Sequence, residues 1–206
     1  MLGLAALAYV LIHFTLYIVS QHFDLLHVAS EIVLRVYLTI GFVALVGLCV
    51  LGATSTDGMI QRLGGQRWNG LHQAVYVIAI LGLLHYFMQA KIDVTEPTLM
   101  AGLFVLLMGH RLLSRHKLGE QGFALTALAI GATALTALME AGWYAVASGV
   151  PAARVLEADL DFSVSIRPAW LVLAVGAGLI VLRLVRGLWA RKPQAKARNR
   201  QVNPAT

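Results

Sequence analysis

Three histidines stand inside long apolar runs: His13 within LIHFTLY, His72 within LHQAVYV and His85 within LLHYFM. A coordinating side chain in hydrocarbon is costly, which makes each a candidate for function. Neutral imidazole is a good axial ligand for haem iron, and ligand identity and burial tune the potential of the metal. A buried histidine serves equally as a hydrogen-bonded contact between helices, so each residue taken alone carries both readings. Depth separates them. His13 and His85 fall at similar depths of their helices, where they can face each other as a bis-histidine pair. His72 precedes His85 by thirteen residues, about 19.5 Å along a helix at about 1.5 Å per residue. Two redox centres so separated could relay an electron across a bilayer. The same spacing turns a helix by about 220° at about 100° per residue. The two rings therefore need different neighbours, or a helix distorted near Gly82.

Other groups qualify the picture. The connection TSTDGMIQRLGGQRWNGLH gathers Arg62, Gly64, Gly65, Arg67 and Trp68. Arginine pairs with anionic oxygens, so this stretch suits haem propionates, a flavin phosphate or a quinone headgroup. Basic anchoring beside an interfacial tryptophan is the alternative. Its glycines follow no strand, so a dinucleotide fingerprint is not supported. Glu140, beside Trp143 and Tyr144, either relays protons or binds a cation, or pairs with a neighbouring helix near the outer interface. His22, His27, His110 and His116 read as solvated interfacial residues. The segment from Val150 to Ile166 is moderately acidic and suits contact with a periplasmic partner; no nucleophile–base set or metal-ligand spacing occurs in it.

The elements that must position these groups are set by composition. The 206 residues are 59% hydrophobic and 13% charged, with a mean hydropathy of +0.75. A soluble domain keeps roughly a quarter of its residues charged, so lipid is the solvent for most of this surface. The single cysteine, Cys49, excludes a disulfide framework, a zinc ribbon and an iron–sulfur cluster within one chain. Crossing a hydrocarbon core takes about 20 apolar residues in a helix, because every backbone polar group must be paired internally. Six segments qualify: 1–20, 33–54, 70–90, 97–113, 122–148 and 168–187. Pro97 and Pro168 suit first turns, where a missing N–H costs nothing. Residues 1–20 lack a basic leader region and a small-residue cleavage site, and so read as a spanning helix rather than a signal peptide. The expectation is an all-α, polytopic transmembrane helical bundle with about six spanning helices.

Orientation follows from the basic residues. Arg62, Arg67, Arg111, Arg115, Lys117 and the tail residues Arg183, Arg186, Arg191, Lys192, Lys196, Arg198 and Arg200 share one side. The other side holds Arg35, Lys91, Arg154 and Arg167 among acids such as Asp24, Asp93, Glu96, Glu157, Asp159 and Asp161. The even-numbered connections, the tail and the amino terminus are thus expected in the cytoplasm. The tail reads as a solvated basic segment near anionic headgroups. No aromatic residue follows Trp189, which argues against nucleic acid as a partner.

Read in order, the motifs RVYLTIGFVAL, ATSTDGMIQRLGGQRWNGLHQAVYVIAILGLLHYF and the short proline-started helix carry a likeness. With His13 in its LIHFTLY setting, the first 115 or so residues resemble the MsrQ (YedZ) family. That family is the haem-binding membrane subunit of the bacterial periplasmic protein-methionine-sulfoxide reductase system. The GWYAVASGV and RPAWLVLA segments are similar to a carboxy-terminal extension of some members. The resemblance implies a ferric-reductase-like transmembrane domain in the bacterial inner membrane, with haem b on His13, His72 and His85. It implies FMN as an associated cofactor, with Arg62, Arg67 and Trp68 as further cofactor-binding residues. Electrons would arrive from quinol or a cytoplasmic flavin reductase. They would leave to a periplasmic molybdopterin catalytic subunit (MsrP-like) that repairs oxidised envelope proteins. The chain would then be an electron-transfer subunit rather than the catalytic one. Members carry further helices ahead of the one matching His13. The resemblance thus implies upstream helices beyond this sequence, a neighbour for His72 among them; a span beginning at Met1 points the same way.

The expected organisation is a haem-binding core over 1–118, a two-helix extension over 119–190 and a basic tail over 191–206. Two other functions compete: a proton- or ion-coupled transporter using Glu140 and the buried histidines, and a non-redox membrane anchor. A ferric reductase proper would couple such a core to flavin and nicotinamide domains, which these residues do not contain.

Overall fold

A backbone in hydrocarbon has no water to bond with, and an uninterrupted apolar run satisfies its amides by coiling into helix. A computed structural model describes residues 2–116, 121–163 and 165–190, and every regular element among them is an α-helix. Six helices are long and apolar enough to cross a membrane: Gly3–Ser20, Val36–Ala53, Gly65–Gln89, Thr95–Arg115, Gly122–Ser148 and Pro168–Trp189. The chain is a multi-pass, all-α membrane protein. Lys117 and the tail residues 191–206, Arg191, Lys192, Lys196, Arg198 and Arg200 among them, lie outside the described residues.

Two compact units divide the chain after Lys91. The first holds α1 (Leu2–Ser20), α2 (Leu25–Leu34), α3 (Val36–Ala53), α4 (Asp57–Leu63), α5 (Gly65–His72) and α6 (Ala74–Gln89). The second, from Ile92, holds α7 (Thr95–Arg115), α8 (Gly122–Ser148), α9 (Ala152–Ala158) and α10 (Pro168–Ala190). In the second unit α7 packs with α8 and α10.

Local chemistry explains where the helices differ from the expected spans. Between the first two spans the chain forms α2 rather than a loop. His22 and Phe23 turn it with φ of 52° and 61°, and the Asp24 carboxylate accepts the His27 amide at 2.9 Å to start the new helix. Arg35, extended at φ −110°, separates α2 from α3, so the second span opens at Val36 and not at residue 33. The basic connection also coils: Thr56 caps α4 by accepting the Met59 amide. Gly64, at φ +75°, supplies the left-handed joint to α5 that a side chain would resist. The third span then breaks at Gln73 between α5 and α6, not near Gly82. Pro97 sits in the first turn of α7, and Pro168 opens α10.

In the first unit α3 is the element that α1, α2 and α6 all pack against. Ala44, Leu51 and Ile78 form its buried cluster. Leu7 meets Gly52, while Phe14 meets Phe42 with ring centroids 5.9 Å apart, so α1 runs antiparallel to α3. Ile78 over Gly47 and His85 over Gly41 give α6 the same sense. At about 100° per residue these two contact faces lie on adjacent sides of α3.

The second unit closes on Leu106, Ala132 and Val172. Apolar helices in lipid gain nothing from excluding water, so they depend on close packing at small residues. Gly102 lies against Thr136 and Val172, Gly109 against Leu128 and Gly176 against the Ala129 backbone. Gly102→Ala is accordingly expected to cost about 1–3 kcal/mol through overpacking. At Gly131, where a Cβ meets nothing within 4 Å, alanine should be neutral or stabilising. Thermal unfolding in detergent checks both, and equal melting of the two variants would contradict the packing described.

Candidate functional site

His85 lies on the backbone of α3. Its Nδ1 is 2.8 Å from the carbonyl oxygen of Tyr37. A carbonyl only accepts, so Nδ1 carries the hydrogen, and in the neutral ring Nε2 keeps its lone pair. The ring atoms nearest the position of a Cβ on Gly41 are Nδ1, Cε1 and Cγ, at 2.7–3.0 Å. The edge holding Nε2 therefore faces away from α3. The Tyr37 ring lies alongside, its centroid 6.3 Å from that of His85.

His13 is exposed on α1. Both α1 and α6 run antiparallel to α3, so their levels can be read on α3 as a common scale. The Leu7–Gly52 and Phe14–Phe42 contacts put His13 near Val43 or Ala44, whereas His85 stands at Gly41. The difference is about one helical turn. Depth therefore agrees between the two residues, on helices that occupy adjacent sides of α3.

His72 ends α5 at the opposite end of α3. Its ring stacks on Trp68 with centroids 4.0 Å apart, and its Nε2 lies 3.3 Å from the Thr54 hydroxyl. That hydroxyl spends its hydrogen on the carbonyls of Val50 and Leu51, at 2.8 and 3.1 Å. Nε2 of His72 must then be the donor, and Nδ1 keeps the lone pair. Trp68 completes the joint by donating from Nε1 to the Thr54 carbonyl at 2.9 Å. His72 meets α3 at Thr54 and His85 meets it at Tyr37. Arg62 on α4 and Arg67 on α5 are exposed and project from the same short helical connection that holds Trp68. His22, His27 and His116 are exposed, and His110 is half-buried.

Among the described residues no three His, Cys, Asp or Glu side chains gather as a metal site. Iron held in a macrocycle asks less of the protein, one or two axial ligands. His85, with Nδ1 tied and Nε2 free, and His13 at matching depth suit that demand. His72 offers Nε2 to iron only by giving up Thr54.

The second unit carries its own polar cluster. Glu140, fully buried on α8, has Oε1 3.3 Å from Nη1 of Arg167, and Nε of Arg167 lies 3.6 Å from Oδ1 of Asp159. Burial raises the Asp159 carboxyl above the usual carboxylate range, while Arg167 beside it pulls the other way. The Asp159 carbonyl accepts Nε1 of Trp170 at 2.6 Å. Arg167 thus ties the connection after α9 to α8. Neither Arg167 nor Asp159 is visible as a partner of Glu140 from spacing alone. Tyr37, Gly41 and Thr54 also escape the sequence reading, although the small residues Gly41, Ala44 and Gly47 mark a close helix contact.

Residues 1–83 match the family described as ferric reductase like transmembrane component. The protein-methionine-sulfoxide reductase heme-binding subunit MsrQ of Rhodospirillum rubrum is 47% identical over 113 residues, covering 54% of this chain and 54% of that protein. The subunits of the same name from Herminiimonas arsenicoxydans and Ralstonia nicotianae are 45% and 40% identical. They cover 52% and 54% of this chain, and 51% and 52% of their own lengths. The chain spans about half the length of these curated relatives. No solved structure matches.

Arg167→Gln leaves the Glu140 carboxylate buried without its cation. It is expected to cost about 3–5 kcal/mol, as for other broken buried pairs, with Glu140→Gln in the same chain restoring part of the loss. A double-mutant cycle on detergent unfolding measures the coupling. Strict additivity would show that the pair contributes nothing.

Proposed function

We propose that this chain, whose first 83 residues match the ferric-reductase-like transmembrane family and about half of which is similar to MsrQ subunits, is a haem-holding electron-transfer subunit. The observation that carries the reading is the His85 ring, held to the Tyr37 carbonyl through Nδ1 at 2.8 Å with Nε2 left as a ligand. His13, at a similar depth on α1, would be the second residue to hold the group. Bound haem b supplies a one-electron couple buried from water. The protein's part is to fix the imidazoles and exclude solvent.

His72 is the candidate for a second centre near the cytoplasmic face, with the stacked Trp68 beside it. Exposed Arg62 and Arg67 suit the anionic oxygens of haem propionates, of FMN or of a quinone headgroup. Electrons are drawn from quinol or a cytoplasmic flavin reductase at that face. They pass outward to a molybdopterin-dependent, MsrP-like methionine sulfoxide reductase. The matched relatives are named protein-methionine-sulfoxide reductase heme-binding subunits. On this reading the chain resides in the bacterial inner membrane with its carboxy terminus in the cytoplasm. Residues 1–118 form the haem core and 119–190 an extension, with a basic tail over 191–206. Sulfoxide chemistry belongs to the partner.

The test is a reduced-minus-oxidised absorption spectrum of the detergent-purified chain beside His13→Ala, His85→Ala and His72→Ala. A b-type signal in the wild type, lost in His13→Ala and in His85→Ala, is the expected result. A second haem at His72 would appear as partial loss in His72→Ala. A folded wild type that takes up no haem, even when haem is supplied during synthesis, would sink the proposal.

A further inference from the structure

We propose that Gly41 is a positioning residue for His85: by lacking a side chain it lets the imidazole reach the Tyr37 carbonyl, and so sets which ring nitrogen is offered to haem iron. The inference rests on His85 being a haem ligand and adds the residue that aims it. Tyr37 and Gly41 are four residues apart on α3, so the Tyr37 carbonyl is already the helical acceptor of the Gly41 amide. For Nδ1 of His85 to share that oxygen at 2.8 Å, the ring must lie directly on the helix backbone at residue 41. A Cβ there would stand 2.7 Å from Nδ1, 2.8 Å from Cε1 and 3.0 Å from Cγ. These atoms belong to a flat, stiff ring that cannot bend aside as a long aliphatic chain can. Any residue but glycine therefore rotates or lifts the imidazole and breaks the bond to Tyr37. With that bond gone, neither the tautomer nor the plane of the ligand is fixed.

Gly47 provides the comparison. It lies on the same helix against the same partner helix, and a Cβ there would come equally close, 2.8 Å, to Cδ1 of Ile78. The atoms it meets, Cδ1 and then Cγ1 at 2.9 Å, belong to an aliphatic side chain that carries no chemistry. Gly41→Ala and Gly47→Ala thus crowd the same helix pair, and only the first touches a ligand.

The experiment compares the haem-loaded wild type with Gly41→Ala and Gly47→Ala in detergent. It reads haem affinity and the reaction of the reduced haem with carbon monoxide, with helicity as a folding control. Gly41→Ala is expected to lower haem affinity on the order of tenfold or more and to open the iron to carbon monoxide, whereas Gly47→Ala does neither. A Gly41→Ala spectrum matching the wild type, or equal losses in both variants, would overturn the assignment. Melting temperatures of Gly41→Ala with and without His85→Ala test the contact without any haem. The substitution should lower the melting temperature only while the imidazole is present, and equal lowering in both backgrounds would remove His85 as the reason for the glycine. A wild type without haem would sink the electron-transfer reading alone, leaving the melting comparison to decide Gly41.

Discussion

In hydrocarbon a polar side chain must find its partner on the protein, and in this chain the partner is repeatedly a backbone carbonyl. His85 bonds to Tyr37, Trp68 to Thr54 and Trp170 to Asp159. The hydroxyls of Thr133 and Thr136 turn back onto the carbonyls of Ala129 and Ala132 at 2.8 and 2.7 Å. A helical carbonyl has a second lone pair free, so it accepts an added donor without breaking the helix. The condition is that the donor come close to the helix axis. Glycines and alanines along α3 and the carboxy-terminal helices provide that approach, which is why packing and polar satisfaction cannot be treated separately here.

The same rule gives the two histidines of the third span different chemical faces. His85 meets a carbonyl and keeps Nε2 as an acceptor. His72 meets a hydroxyl whose hydrogen is already committed, so its Nε2 donates and Nδ1 is the free acceptor. Sequence treats the two as equivalent imidazoles about 19.5 Å apart on one helix. Their neighbours on α3 make them unequal: His85 meets the Tyr37 carbonyl, and His72 meets the Thr54 hydroxyl at the joint between α3 and α5. Arg167 in the second unit shows the charged counterpart of this behaviour, since a guanidinium with several donors can hold two carboxylates on different segments.

The spans were legible because hydrophobic length is a direct physical requirement of the bilayer. Five of the six helices both open and close within a few residues of the expected limits, and Pro97 and Pro168 mark two of their first turns. The likeness to MsrQ subunits was also legible from its motifs, and relatives of that name match about half of this chain. The short helices α2, α4 and α5 were not, because they depend on single capping groups, Asp24 and Thr56, and on the left-handed Gly64 rather than on any long period. The spacing of His72 and His85 asked for different neighbours or a helix distorted near Gly82; the interruption between α5 and α6 falls at Gln73 instead. Tyr37 was invisible as a partner of His85 because it contributes its carbonyl, a group every residue possesses.

The arrangement of the first unit around α3 also has a meaning in time. As the chain is made, α1 and α2 emerge before the helix they pack against, and α1 buries none of its spanning residues within the protein. α1 gains this partner only once α3 is inserted. From then on each later helix of the unit finds its docking surface already in place: α5 closes on Thr54 and α6 on Gly41 and Gly47. Every one of these contacts joins residues within the first 91. This half of the molecule can therefore complete its own packing while the ribosome is still translating the rest.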